Sequence, residues 1–285
     1  MQAAPGQTDS SMNLHNKEQN AAHAPLEAAP AIQGAPGTRQ PVKVLLFGRE
    51  ADKLEPLLTQ HPNLYLVEEQ PDVIVCYGGD GTLLAAELRW PGLPKIPILN
   101  SHRGHRCIPH PPEQVIAKLA AGTLRHNVYT KLEGYIQREK GVSSAKPLVA
   151  LNEFNVHMGR INSAVRYRLH IDGYPYEDNL EILGDGFVIC TPFGSTAYFR
   201  QITRGIFTQG IGVAFKSTTE HTSHLILPEN AEVCIEIVRG PAVLAFDSSQ
   251  QYSNLQAGDR LVVHRHAHGA AILTCGPVHR LHEPF

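Results

Sequence analysis

The chain of 285 residues contains no apolar run long enough to cross a bilayer, which takes ~20 residues. It also has little net charge. With 25 basic against 27 acidic side chains it stands at -2, so composition gives no pull toward nucleic acid or an anionic membrane. The first 40 residues lack a basic start followed by an apolar stretch, which argues against a secretory signal. Asp9, Glu18 and Glu27 precede the first arginine, Arg39, which argues against an organellar transit peptide. Cysteine is sparse. Cys76, Cys107, Cys190, Cys234 and Cys275 are odd in number, widely spaced and mostly set in apolar runs, so free buried thiols in a reducing compartment, the cytoplasm, are expected. Neither GxxxxGK[ST] nor GxGxxG occurs at the glycine-rich segments.

What is present divides the chain. Met1 to Gln40 is rich in Ala, Pro, Gly, Gln and Asn without apolar periodicity, and is expected to be a disordered tail. From residue 41 to about 125, apolar runs of strand length such as "VKVLLFG" (Val42–Gly48), "PDVIVCY" (Pro71–Tyr77) and "KIPILN" (Lys95–Asn100) alternate with helical text. That rhythm predicts an α/β N-terminal domain with a parallel sheet covered on both faces. From 126 to 275, strict alternation in "VRYRLHID" and several similar runs predict a mostly antiparallel, β-rich C-terminal domain. The segment 276–285 is expected to return to the first domain.

Glycine suits neither strand nor helix, yet "VIVCYGGDGTLLAAE" (Val73–Glu87) places three glycines between the two. Ligands gather beyond the carboxyl ends of parallel strands, where helix N–H groups lack partners. Gly78, Gly79 and Gly81 are expected to allow positive φ and close approach of a phosphate. Asp80 would coordinate Mg2+ or orient an attacking hydroxyl, and Thr82 would cap the helix. An ordinary turn with Asp80 as cap is the competing reading.

A second cluster, "GDGFVICTPFGSTAYF" (Gly184–Phe199), follows an acid at Asp185 with a strand and a hydroxyl-bearing loop. Thr191, Gly194, Ser195 and Thr196 offer donors beside Tyr198, whose ring can stack on an adenine or nicotinamide. Asn152 and Glu153 are adjacent at a strand end, where both side chains can reach one ribose or base. Together these segments read as a nucleotide site shared by two domains. The alternating His264, His266 and His268 raise a metal site, but no carboxylate or cysteine nearby completes it, so surface histidines and no protein-only metal site are expected. A Ser-His-Asp hydrolase is disfavoured because "PFGST" is not a G-x-S-x-G elbow.

"GGDGT" (Gly78–Thr82), "LNE" (Leu151–Glu153) and "GDG…TPFGSTAY" (Gly184–Tyr198) resemble, in order and separation, the motifs of NAD kinases, across roughly residues 41–275. The last motif is the most specific. The resemblance implies phosphoryl transfer from ATP or polyphosphate to the adenosine 2′-hydroxyl of NAD, with Mg2+ and Asp80 as the catalytic aspartate. It implies that Asn152 and Glu153 hold the dinucleotide, with Asp185 near its nicotinamide end and Thr196, Ala197 and Tyr198 around it. It further implies a homodimer or homotetramer acting on small-molecule nucleotides. The chain departs from the family pattern in four places. A polar, basic "NSHRGHRCIPH" replaces an apolar segment, Phe193 replaces a small hydroxyl residue, "FRQITRG" replaces small residues closing on a glycine pair, and Asp247-Ser248 replaces Asp-Gly. Arg103 and Arg106 would then contact phosphates, or else belong to a solvated loop. A nucleotide-binding relative without kinase activity, or a kinase for another hydroxyl, remains the alternative.

Overall fold

The computed structural model describes residues 40–276 except 103, 142, 144 and 145, so the N-terminal tail, Arg103 and nearly all of the 276–285 segment lie outside the described residues. The first sheet has six strands in the order Leu64–Leu66, Val42–Phe47, Val73–Gly78, Lys95–Leu99, Ala270–Thr274 and Arg125–Tyr129. The first five run parallel and the last is antiparallel. Alternation along Val73–Gly78 explains both covering layers. Val73 and Val75 face the helix Pro112–Ala120 through Val115, Ile116 and Leu119. Ile74 and Cys76 face the helix Asp80–Arg89 through Leu83, Leu84 and Ala86.

The remaining strands form two antiparallel sheets, one of seven strands and one of six. In Val165–Ile171, Val165, Tyr167 and Leu169 turn inward, while Arg166, Arg168 and His170 stay on the outer face. The inward set meets Phe154, Val156, Phe187, Ile189, Val213 and Phe215 of the other sheet, closing a sandwich core. Asp172 and Gly173, both at positive φ, make the two-residue turn into Tyr174–Pro175, a hairpin turn suited to Asp-Gly. The fold is therefore a parallel α/β domain joined to an antiparallel β domain, as the apolar patterning indicated.

The partition along the chain differs from the expected boundaries. Ala270–Thr274 and Arg125–Tyr129 both belong to the parallel sheet, so the chain returns to the first domain before residue 275. A pairing of Ile272 with Lys95 has no local signal in either segment. Among the described residues, no helix is long and apolar enough to cross a membrane. All five cysteines are free thiols, and burial pushes Cys76 up to about 12.

One buried charge cluster ties the two domains. Glu87 of the helix Asp80–Arg89 pairs with Lys95 at the start of its strand and, at 2.8 Å, with Lys131 just before the strand Leu132–Gln137. Lys95 also donates to the Trp90 carbonyl at 2.7 Å. All three charged side chains are buried.

Candidate nucleotide site

The strand Val73–Gly78 ends at the glycine turn, and the helix begins at Asp80 with Gly79 as its N-cap. No side chain caps this helix, so Thr82 stands in its first turn and is not the cap. Nor do Gly78, Gly79 and Gly81 serve through positive φ, for none adopts it. Gly78 is required by close packing instead, because a Cβ there would run into the Thr82 side chain. Asp80 is not an ordinary cap either. Its carboxylate reaches across the turn, accepting the His105 N–H at Oδ2 and the Arg106 N–H at Oδ1, both at 2.9 Å. A methyl group built on Gly81 would lie 3.7 Å from Ser248 Oγ, so the turn faces the Asp247-Ser248 corner of the β domain.

That corner organises the second motif. Strand Leu148–Ala150 belongs to one β sheet and Glu153–Met158 to the other, so the chain changes sheets at Leu151 and Asn152. Three main-chain N–H groups at this crossing converge on Asp247. Its carboxylate accepts from Leu151 at 2.6 Å, Asn152 at 2.8 Å and Glu153 at 3.1 Å. Burial pushes Asp247 up to about 6, against the pull of these three donors. The result is a fixed pair of side chains at the crossing. Asn152 Oδ1 and Glu153 Oε2 are buried and have no hydrogen-bond partner among the described residues. Burial, and secondarily the Asp247 charge, push Glu153 up to about 8.

The hydroxyl-bearing loop is stitched to the same crossing. Thr191 N–H donates to the Asn152 carbonyl at 2.9 Å, and its hydroxyl donates to the Leu151 carbonyl at 2.6 Å. Gly194 passes so close that a Cβ would sit 2.6 Å from Asn152 Cα. Two expectations change here. Thr191 is fully buried, and the Ser195 hydroxyl donates to the Pro192 and Phe207 carbonyls at 2.8 and 3.2 Å, so both hydroxyls brace the loop from within. Thr196 and Ala197 are half-buried and Tyr198 is exposed. Arg204 is exposed at the left-handed end of the short helix Tyr198–Thr203.

Arg106 is no solvated loop residue. It is 93% buried by exclusion of all but 7% of its surface, and its guanidinium donates to the Pro192 carbonyl at 3.1 Å and to the Phe193 carbonyl. The guanidinium also lies 4.4 Å from the centre of the Phe193 ring. Two departures from the family pattern thus meet in one contact.

Lys216 was not legible as a site residue. It ends the apolar strand Ile211–Lys216, and its ammonium donates to Asn155 Oδ1 and to the Val156 carbonyl, the latter at 2.8 Å. It lies 5.8 Å from the Tyr198 ring. Burial lowers it to about 8, opposed by the charges of Glu153 and Asp185. The signal that was available is a lysine ending an otherwise apolar strand on the face of Gly212 and Ala214, opposite the core-facing Ile211, Val213 and Phe215.

No protein-family model matches the chain. Over 213 residues it is 32% identical to the NAD kinase of Methylibium petroleiphilum, covering 71% of this chain and 69% of that protein. Over 232 residues it is 30% identical to the NAD kinase of Cupriavidus pinatubonensis, covering 78% and 74%. The crystal structure of yeast NADH kinase complexed with NADH superposes at a TM-score of 0.68, with 19% identity over 83% of this chain and 84% of that one. An NAD kinase from Archaeoglobus fulgidus in complex with ATP gives 0.65, with 18% identity over 81% and 92%. At those identities the structural likeness establishes the fold. Together with 32% identity across more than two thirds of both chains, it makes this protein a member of the NAD kinase family.

Proposed function

We propose that the protein transfers the terminal phosphoryl group of ATP, or of polyphosphate, to the adenosine 2′-hydroxyl of NAD, giving NADP. The observation that carries this reading is the pair of buried, unpartnered oxygens on Asn152 and Glu153. Buried polar atoms without partners are rare and destabilising. Ribose hydroxyls or an adenine amino group supply the donors these two oxygens need. Tyr198 offers an exposed ring 5.8 Å from the Lys216 ammonium, which feels the charges of Glu153 and Asp185.

Asp80 suits the proton-accepting role. Each of its oxygens is held by one main-chain N–H, Oδ1 accepts the Cys107 thiol as well at 3.5 Å, and Oδ2 keeps a further lone pair. In the transfer, the 2′-oxygen forms the new bond to phosphorus, the bond from phosphorus to the bridging oxygen of the donor breaks, and the hydroxyl proton passes to Asp80. Alignment and charge neutralisation supply most of the acceleration in such a step. The same donor set fits Mg2+ held mainly by phosphates with one protein carboxylate, and such an ion would neutralise the charge developing on the donor. Assembly as a homodimer or homotetramer belongs to the same proposal.

The test incubates purified protein with Mg2+, NAD and each donor in turn, and measures NADP enzymatically. NADP should form with at least one donor, and Asp80→Asn should remain folded while losing nearly all turnover. Tight NAD binding without product under every donor and metal would favour a binding protein that lacks kinase activity. Near-normal turnover by D80N would remove Asp80 from the chemistry.

A further inference from the structure

We propose that Arg106 is a positioning residue for the Asp80 carboxylate, acting as a latch between the glycine turn and the Phe193 loop. The inference rests on the kinase reading in one respect, that Asp80 is the group that works. Arg106 touches both sides. Its main-chain N–H is one of the two donors that hold Asp80, at 2.9 Å. Its side chain is locked onto the opposite element by the Pro192 and Phe193 carbonyls and by the Phe193 ring.

Phe193 is itself a fixed anchor. It packs in the core beneath the parallel sheet with Leu83, Leu84 and Leu151, and its ring meets that of Tyr129 at 4.8 Å in an edge-on arrangement. The preceding residue, His105, supplies the second N–H to Asp80, so two successive amides grip the two carboxylate oxygens. Rotation of the carboxylate out of that plane breaks at least one of these bonds. Between Leu99, at the end of an internal strand of the parallel sheet, and Ile108, which bridges to Ile98, the described residues 104–107 lie in no helix or strand that would restrain their amides. The guanidinium supplies that restraint from 87 residues away in sequence. One terminal nitrogen of the guanidinium makes both carbonyl contacts, while Nε is buried without a partner among the described residues, so the side chain braces the Phe193 loop through a single nitrogen and the ring.

The expected signature is a loss of turnover without a loss of binding, because only the orientation of the proton acceptor is disturbed. Arg106→Met keeps the stem and the main-chain N–H but removes the guanidinium. Its kcat for NADP formation should fall about 10- to 100-fold, with KM for NAD within about threefold of wild type. Hydrogen exchange of the full chain should become faster at 104–107. Arg106→Lys, which retains a single cationic donor, should recover part of both. Unchanged kcat in folded R106M overturns the proposal. So does a KM raised more than about tenfold at constant kcat, which marks a direct ligand contact. Should R106M fail to fold, R106K and Phe193→Leu carry the same comparison. If the wild-type protein makes no NADP, the kinase reading fails on its own, and exchange decides the latch: unchanged protection at 104–107 in R106M refutes it, and faster exchange upholds it.

Discussion

Glu153→Gln gives a quantitative probe of the site because the buried carboxyl is unpartnered at Oε2 and is pushed from its ordinary 4.5 up to about 8. The native state therefore holds a proton that the unfolded state releases between those values. Folding binds protons across that window, so stability is greatest below pH 4.5 and falls as pH rises toward 8. The full displacement corresponds to a ceiling of about 4–5 kcal/mol. The Lys216 ammonium and relaxation of the site on ionisation reduce the expected fall to about 1–3 kcal/mol. Asp247, raised to about 6, adds a fall of the same sign below pH 6 in both proteins. The assay is urea unfolding of ligand-free wild type and E153Q at intervals from pH 5 to pH 8.5. Above pH 6 the wild-type midpoint should decline while that of E153Q stays nearly level, with E153Q the more stable at pH 8. Parallel curves would refute the argument that burial holds this carboxyl neutral. The same substitution should weaken NAD binding, since glutamine cannot supply the second carboxylate oxygen.

Two further outcomes follow from packing. Glu87→Gln leaves the buried ammonium groups of Lys95 and Lys131 without their shared carboxylate and should cost about 3–5 kcal/mol, read from guanidinium unfolding. Gly194→Ala places a methyl group against the Asn152 backbone and forces the loop off the sheet crossing. NAD affinity, measured by calorimetry, should fall at least about tenfold, and the unfolding midpoint should fall with it because the loop's buried hydrogen bonds are disturbed.

The parts legible in the sequence were those written in contiguous text. Val73 to Arg89 carries its own strand, glycine turn and amphipathic helix, and the alternation in Val165–Ile171 declares which side chains face the core. What escaped depends on pairs far apart. The break between Ala150 and Glu153 reads as one strand until two sheets compete for it, and Ala270–Thr274 resembles any other apolar run until it pairs with Lys95–Leu99. Among site residues, Thr191 and Ser195 looked like ligand donors because hydroxyl groups in a glycine-bearing loop carry no mark of direction. The carbonyls of Leu151, Pro192 and Phe207 claim them only after the loop has docked. Arg106 and Phe193 each read as a departure from the family pattern, and their contact explains both.

Phosphoryl transfer to one hydroxyl is tested most directly by phosphorus NMR of the product made by wild-type protein from NAD, ATP and Mg2+. A new phosphomonoester on the adenosine 2′ oxygen, appearing one-for-one with ADP, is the expected result. ATP turnover without that signal, or a phosphate on a different hydroxyl, would contradict the assignment.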